Sequence, residues 1–200
     1  MNRSVNDPSA FSVCVYCGSR PGGDAAFART AQQVGAWIGQ HGGQLVYGGG
    51  RAGLMGIVAD ATLAEGGRVV GVIPRALVER EHAHRGCTEL IVVETMHERK
   101  RIMAERSDAF LALPGGIGTF EEFFETWTWR QLGYHDKPVG LLNQDGYYDE
   151  LLGFLNHSIA SGFMGTPQMA LIEIGSDWNA LLRKLVHGAV SCAPVRTDQI

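Results

Sequence analysis

The sequence lacks the features of membrane, secreted and nucleic-acid-binding proteins. No apolar run reaches the roughly 20 residues that a membrane-spanning helix needs. The N-terminus also lacks the basic and apolar regions of a secretory signal peptide. A formal net charge of −4 gives no electrostatic reason to bind nucleic acid or an anionic membrane. We therefore expect a cytoplasmic protein with no nucleic-acid partner and no membrane attachment.

Signals for metal binding and for disulfides are also missing. Cys14 and Cys17 spell C-x-x-C, but they lie in a strand-like run, where residues three apart point to opposite faces. Cys87 and Cys192 stand alone, and no second cysteine or histidine pair completes a zinc set. We expect reduced, buried cysteines and no metal site.

Seven short apolar runs alternate with six segments of helical spacing. The runs cover residues 11–16, 43–48, 68–73, 89–94, 108–113, 137–142 and 170–174, and the helical segments cover residues 24–43, 53–67, 96–107, 119–133, 147–162 and 176–188. This alternation predicts βαβ units and a parallel sheet, and the continuous hydrophobicity of the runs predicts cover on both faces. We predict an α/β fold with a Rossmann-like, doubly wound parallel sheet of about seven strands. It would form a single domain over residues 11–188, with loose tails at residues 1–10 and 189–200.

Ligands of such sheets bind beyond the carboxyl ends of the strands, so the turns there are the candidate binding sites. In YCGSRPGGD, Ser19 and the glycine N–H groups could meet an anion or simply form a turn. YGGGRAGLMG spells G-x-G-x-x-G, but the acidic residue expected about twenty residues later is replaced by the apolar VVGVIPR. NAD binding is therefore disfavoured, while close approach of this backbone, including Gly49, to a nucleotide stays open.

ETMHERKR places Arg99, Lys100 and Arg101 in the first turns of a predicted helix. Cations are unfavourable there against the positive end of the helix dipole. The run is either a solvated basic face or part of a site for a phosphate-bearing ligand, which would offset that electrostatic cost.

LPGGIGTFEE places Gly115, Gly116, Gly118 and Thr119 between a strand and a helix. Backbone N–H groups at such a helix start form an anion site, although the ATP-binding pattern G-x-x-x-x-G-K-[ST] is absent. Glu121 and Glu122 diverge by about 100° on a helix, so one can face the ligand while the other faces elsewhere. Acids are also common in a first helical turn for its dipole alone. The aromatic residues that follow them are expected mostly in the core.

PGGIGTFEE matches P-G-G-x-G-T-x-x-E and, with MHERK, YGGGRAGLMG, LGYHDKPVGLLN and GYYDELL, resembles the LOG ("lonely guy") family of cytokinin riboside 5′-monophosphate phosphoribohydrolases. The resemblance runs from about Ser12 to Gly162. It implies hydrolysis of the N-glycosidic bond of adenosine 5′-monophosphate, plain or N6-prenylated, by a homodimer without a cofactor. Free base and ribose 5-phosphate would be the products.

The resemblance also implies which residues form the site. Arg99 and Glu122 would be catalytic, and the substrate-binding set would comprise Glu81, Lys100, Gly115, Gly116, Ile117, Gly118, Thr119, Phe120, Glu121 and Thr128. The glycine-rich turns add Ser19 and Gly49 to this set. Ile117 stands where plant members usually carry Tyr.

Other functions compete with this one. A structural α/β protein whose glycines only make turns is disfavoured, because three glycine-rich strand ends occur together. A nucleotide or molybdenum-cofactor carrier on the same fold would need the phosphate site but not the pair of Arg99 and Glu122. A lysine decarboxylase, a label that members of this family have carried, would need pyridoxal phosphate on a Schiff-base lysine. The chain has three lysines, Lys100, Lys137 and Lys184, and none is a good candidate for that role. We therefore reject the decarboxylase label.

Overall fold

The structure, a computed structural model, describes residues 10–79 and 82–189, which form a seven-stranded sheet flanked by helices. The strands are β1 (Ser12–Tyr16), β2 (Gln44–Tyr47), β3 (Arg68–Pro74), β4 (Glu89–Val93), β5 (Ala109–Ala112), β6 (Val139–Leu142) and β7 (Ile172–Gly175). The helices are α1 (Ala25–Gln40), α2 (Gly53–Ala64), α3 (Met96–Glu105), α4 (Ile117–Gln131), α5 (Asp149–Ala160), α6 (Thr166–Met169) and α7 (Trp178–Gly188). Two 3₁₀ turns cover Arg75–Leu77 and Gln144–Gly146.

The strand order is β4-β3-β2-β1-β5-β6-β7, and neighbouring strands pair in parallel. The chain starts in the middle of the sheet, proceeds to one edge and then returns to place β5 beside β1. The carboxyl ends of β1 and β5 therefore flank the point where the winding reverses, which is where such sheets bind ligands. The predicted doubly wound α/β fold is confirmed.

Each face of the sheet has its own hydrophobic core. Helices α1, α2 and α7 contribute to one core, and α3, α4 and α5 contribute to the other. Cys14 and Cys17 are buried and reduced, and they belong to opposite cores, as the strand geometry predicts. Phe123, Trp127 and Trp129 lie in the second core, which confirms that the aromatic residues of α4 mostly pack the interior.

Several helix ends follow the capping signals of the sequence. The Asp24 side chain accepts from the N–H of Ala26 at 2.7 Å, and Gly42 beyond the end of α1 has a φ of 67°. Thr95 and Asp177 cap α3 and α7 through their side-chain oxygens. Such caps satisfy backbone donors that a helix start leaves without partners.

The structure differs from the prediction in some element bounds. Helix α4 begins at Ile117 rather than Thr119, because the chain enters the helix directly after the extended Gly116. The short α6 was not predicted, since a four-residue helix shows no clear periodicity. The proposed tails at residues 1–10 and 189–200 lie almost wholly outside the described residues, so the domain limits stay a prediction. Within the described ranges no helix has the length and apolar character needed to span a membrane.

His135 is buried, and its ring packs against that of Phe110 in β5. It is 4 % exposed, and its Nε2 donates to the carbonyl of Thr126 at 3.0 Å. Burial lowers the pKa of His135 from 6.5 to about 4, although the hydrogen bond to Thr126 acts in the opposite direction. The imidazole is therefore neutral in the folded protein at neutral pH.

Acidification should destabilise the fold through His135. The unfolded chain binds a proton near pH 6.5, whereas the folded chain does so only near pH 4, so stability falls as the pH drops through this window. The expected loss between pH 7.5 and pH 5 is about 2 kcal/mol of unfolding free energy from this residue. Urea denaturation at the two pH values should show a loss smaller by that amount in His135→Gln, whose amide can still donate to Thr126. Equal pH dependence in the two proteins would contradict the assignment.

Candidate functional site

A cavity of about 490 Å³ opens where the carboxyl ends of β1 and β5 meet. It is lined by the turn after β1 (residues 17–22), the start of α2 (Leu54 and Met55), the turn into α4 (residues 114–119), and by Phe27, Arg99, Glu122 and Tyr147. The predicted glycine-rich turns after β1 and β5 therefore form one site.

The turn after β5 places the N-terminus of α4 in the wall of the cavity. Gly116 is extended and precedes Ile117, the first residue of the helix, while Thr119 is buried one residue beyond Gly118. The first N–H groups of a helix have no partner inside the helix, and the helix dipole adds partial positive charge there. This wall of the cavity is suited to an anion.

The turn after β1 is fixed against both neighbouring segments. The N–H of Gly18 donates to the carbonyl of Pro114 at 3.1 Å, and the carbonyl of Gly18 accepts from Leu54 at 3.0 Å. Gly53 has a φ of 59°, and a Cβ there would lie 2.3 Å from the carbonyl carbon of Ser19. Only glycine allows the start of α2 to approach the turn this closely.

Arg99 is a buried cation whose guanidinium is oriented by backbone carbonyls. It is 5 % exposed; Nε donates to the carbonyl of Val72 and Nη2 to that of Gly48, both at 3.1 Å. A Cβ on Gly48 would lie 2.0 Å from Nη2. The first glycine of G-x-G-x-x-G therefore makes room for Arg99, a role that involves no dinucleotide.

Glu122 is the carboxylate that faces Arg99 in the cavity. Its Oε1 lies 3.7 Å from Nη1 of Arg99, and its side chain is only 13 % exposed. The distance is that of an ion pair without a direct hydrogen bond. A buried cation on α3 and a half-buried carboxylate on α4 thus lie side by side.

Glu121 faces away from the cavity and contacts Lys100. The Nζ of Lys100 lies 2.5 Å from Glu121 and 2.8 Å from Glu125, so it connects α3 to α4. Burial acts to lower the pKa of Lys100, but its hydrogen bonds and attraction to the two carboxylates outweigh burial and raise it. The two adjacent acids therefore diverge as helical geometry predicts.

Cys17 also lines the cavity, but its environment opposes ionisation. Burial and, after it, the charge of Glu122 raise the pKa of the Cys17 thiol well above its usual range. The same two causes act on Cys14. Because the thiolate is the reactive form, neither cysteine is a candidate nucleophile.

The predicted site residues fall into three groups. Those that line the cavity are Ser19, Arg99, Gly115, Gly116, Ile117, Gly118, Thr119 and Glu122. Those that lie outside its lining are Gly49, Lys100, Phe120, Glu121 and Thr128. Glu81 lies outside the described residues.

Three residues of the second group have other contacts in this chain. The carbonyl of Gly49 accepts from the N–H of His84 at 2.8 Å, the ring of Phe120 packs edge-on against Tyr148, and the hydroxyl of Thr128 donates to the carbonyl of Phe124. Their role in binding stays a prediction.

Sequence reasoning missed several cavity residues, among them Arg20, Phe27, Met55 and Tyr147. Arg20 belongs to the first glycine-rich turn, and its position directly after β1 indicates that it can line a site at that end of the sheet. Tyr147 lies in GYYDELL, a segment that supports the resemblance to the family but does not indicate a role for its tyrosines. Nothing in its own sequence indicates contact with a turn more than thirty residues earlier.

No lysine is placed to form a Schiff base with a ligand in this cavity. The Nζ of Lys137 donates to the carbonyls of Ala104 and Ser107 at the end of α3. Lys184 pairs with Glu173 at 2.5 Å on the surface. All three lysines lie in the described ranges, and none of them lines the cavity.

Comparison with solved structures shows the fold. The structure matches the molybdenum cofactor carrier protein from Chlamydomonas reinhardtii with a TM-score of 0.65 and 21 % identity, over 88 % of this chain and 97 % of that one. It matches the molybdenum cofactor binding protein from Rippkaea orientalis with a TM-score of 0.63 and 21 % identity, over 86 % and 92 %. At this identity the likeness concerns the fold alone.

Comparison of sequences shows the family. The model of the family described as "Possible lysine decarboxylase" matches residues 55–185. The cytokinin riboside 5′-monophosphate phosphoribohydrolase from Rhodococcoides fascians is 51 % identical over 85 % of this chain and 86 % of its own length. The enzyme of that name, LOG4, from Arabidopsis thaliana is 44 % identical over 92 % of this chain and 86 % of its own. The chain therefore belongs to the LOG family, which these relatives represent.

Proposed function

We propose that the protein hydrolyses the N-glycosidic bond of adenosine 5′-monophosphate, plain or N6-prenylated, to free base and ribose 5-phosphate. The observation that carries this proposal is the ion pair of Arg99 and Glu122 in the cavity, beside a helix start that suits an anion. The names of relatives that are 44–51 % identical support the same activity.

The 5′-phosphate would bind at the N-terminus of α4. Backbone N–H groups of Gly116 to Thr119, the hydroxyls of Thr119 and Ser19, and the dipole of the helix all suit a dianion. Arg20 at the mouth of the cavity adds a positive charge on the same side.

The ribose would lie against Glu122, one turn further along α4. Breaking the bond between C1′ and the base leaves oxocarbenium character on the sugar, which a carboxylate in a dry site stabilises. Glu122 would bind the ribose hydroxyls and position the water whose oxygen bonds to C1′. The water gives up a proton, and the base nitrogen gains one.

Arg99 would orient the substrate and assist departure of the base. Its guanidinium is fixed by the Gly48 and Val72 carbonyls, so it needs no reorganisation when negative charge develops on the leaving group. A carrier protein would need the anion site but not this pair, which disfavours the carrier alternative.

We further propose a cytoplasmic homodimer. Nucleoside 5′-monophosphates are metabolites of the cell interior. Glu121 and Thr128, which the resemblance assigns to substrate binding, lie on α4 outside the cavity of their own chain. A second copy packed against this side of α4 would let them contact the partner's substrate.

Replacing either member of the pair should greatly slow turnover. Glu122→Gln keeps the shape but removes the charge, and Arg99→Ala removes the cation. Each should lower kcat for release of adenine from AMP by on the order of 10²–10³-fold. The release is measured by chromatography of the free base.

Glu173→Gln is the matched control, because Glu173 pairs with Lys184 on the surface and neither residue lines the cavity. We expect its activity to stay near that of the wild type. Wild-type turnover in Glu122→Gln or Arg99→Ala would refute the assignment.

Gly48→Ala tests whether the position of Arg99 matters as well as its presence. The added methyl would occupy the place of Nη2 and force the guanidinium off the Gly48 carbonyl. Because a displaced catalytic group typically costs about 10²-fold, we expect a kcat reduced by roughly that factor. Steady-state kinetics on AMP provide the measurement.

Gly153→Ala is the control for the same substitution, because a Cβ there meets nothing within 4 Å. It should leave kcat unchanged. Full activity in Gly48→Ala would show that the carbonyl contact of Arg99 is dispensable.

A further inference from the structure

Tyr147 lines the cavity but has no part in the function proposed above. It lies between β6 and α5, and its hydroxyl donates to the carbonyl of Gly115 at 2.7 Å. The next residue, Tyr148, is buried and donates to the carbonyl of Leu113 at 2.7 Å. Two successive tyrosines thus contact both ends of the turn that leads into α4.

The carbonyls of this turn are all occupied. An anion site must present N–H groups to its ligand and direct carbonyl oxygens elsewhere, because a carbonyl oxygen repels an anion. The four carbonyls accept from these donors: Leu113 from the Tyr148 hydroxyl, Pro114 from the Gly18 N–H, Gly115 from the Tyr147 hydroxyl, and Gly116 from the Phe120 N–H. Of the two side-chain donors, Tyr147 is the one at the cavity wall, with 42 % of the residue exposed.

The segment that carries Tyr147 is itself fixed. The side chain of Asn143 donates to Asp149 at 2.7 Å and accepts from the N–H of Tyr148 at 2.7 Å. The ring of Tyr147 also packs edge-on against Phe27, with ring centroids 5.5 Å apart. The hydrogen bonds of Asn143 and the packing of the Tyr147 ring therefore both hold the Tyr147 hydroxyl in place.

Among the carbonyls of this turn, that of Gly115 depends most on its hydrogen-bond donor. The peptide between Gly115 and Gly116 is flanked by two residues without a Cβ, so its plane can rotate at low steric cost. Without a donor, its carbonyl could turn into the cavity, and the N–H of Gly116 would then turn away from an anion.

We propose that Tyr147 is a positioning residue for the anion site. By holding the Gly115 carbonyl, it keeps the N–H groups of the turn directed into the cavity. It thereby sets the affinity for the phosphate end of the ligand and leaves the rate of bond cleavage unchanged. This inference rests on the proposed function, since the ligand is taken to carry a 5′-phosphate.

Tyr147→Phe tests the inference, because it keeps the ring against Phe27 and removes only the donor. Loss of one hydrogen bond predicts a three- to tenfold rise, approximately, in the Kd for ribose 5-phosphate and in the KM for AMP. The kcat should stay within about twofold of the wild type, since the pair of Arg99 and Glu122 is untouched. Calorimetry gives the Kd, and steady-state kinetics give KM and kcat.

Tyr134→Phe, which removes a tyrosine hydroxyl away from the cavity lining, is the control and should change none of these values. Thermal unfolding of both variants is measured alongside and should stay near that of the wild type, because Tyr147 is partly exposed.

The outcomes separate the two proposals. If the wild type neither hydrolyses AMP nor binds ribose 5-phosphate, the proposed function is wrong and this inference falls with it. If the wild type hydrolyses AMP but Tyr147→Phe binds ribose 5-phosphate equally well, only the inference is wrong. A lower kcat at unchanged KM would also overturn it, because the residue would then act on the chemical step.

Discussion

The burial of one guanidinium imposes the constraints on which the site depends. A charged group in a protein interior is tolerated only when its donors are satisfied and its charge is compensated. Arg99 meets the first condition through the carbonyls of Val72 and Gly48, and Glu122 contributes to the second. These contacts require a glycine at position 48 and fix α3 across the carboxyl ends of β2 and β3. The contact with Glu122 also brings the first turns of α4 beside the Arg99 guanidinium.

The same arrangement explains why acids can lie next to an anion site. The proposed ligand has two ends of different chemistry, a phosphate and a sugar that would become positive as its bond to the base breaks. In this proposal the helix N-terminus would bind the phosphate, and the carboxylate one turn later would stabilise the sugar cation. Arg99 lies in the first turns of α3, where a cation is disfavoured by the dipole, and an anionic ligand relieves that cost.

The fold and the centre of the site could be predicted because their signals are local. Alternating apolar runs and helical segments identified all seven strands, and glycine-rich strand ends identified the turns that meet at the cavity. The divergence of Glu121 and Glu122 followed from helical geometry alone. Contacts between distant segments could not be predicted in this way. The role of Gly48 depends on Arg99, 51 residues later, and the contact of Tyr147 with Gly115 spans 32 residues. No periodicity or motif encodes such pairings.

The central claim is that this cavity cleaves a nucleotide between sugar and base. The direct measurement is to incubate the protein with AMP or isopentenyl-AMP in ¹⁸O-labelled water and to analyse the products by chromatography and mass spectrometry. Our account predicts free base and ribose 5-phosphate in equal amounts, with the label on the sugar. Release of a nucleoside and inorganic phosphate, or tight binding of the nucleotide with no turnover, would contradict it.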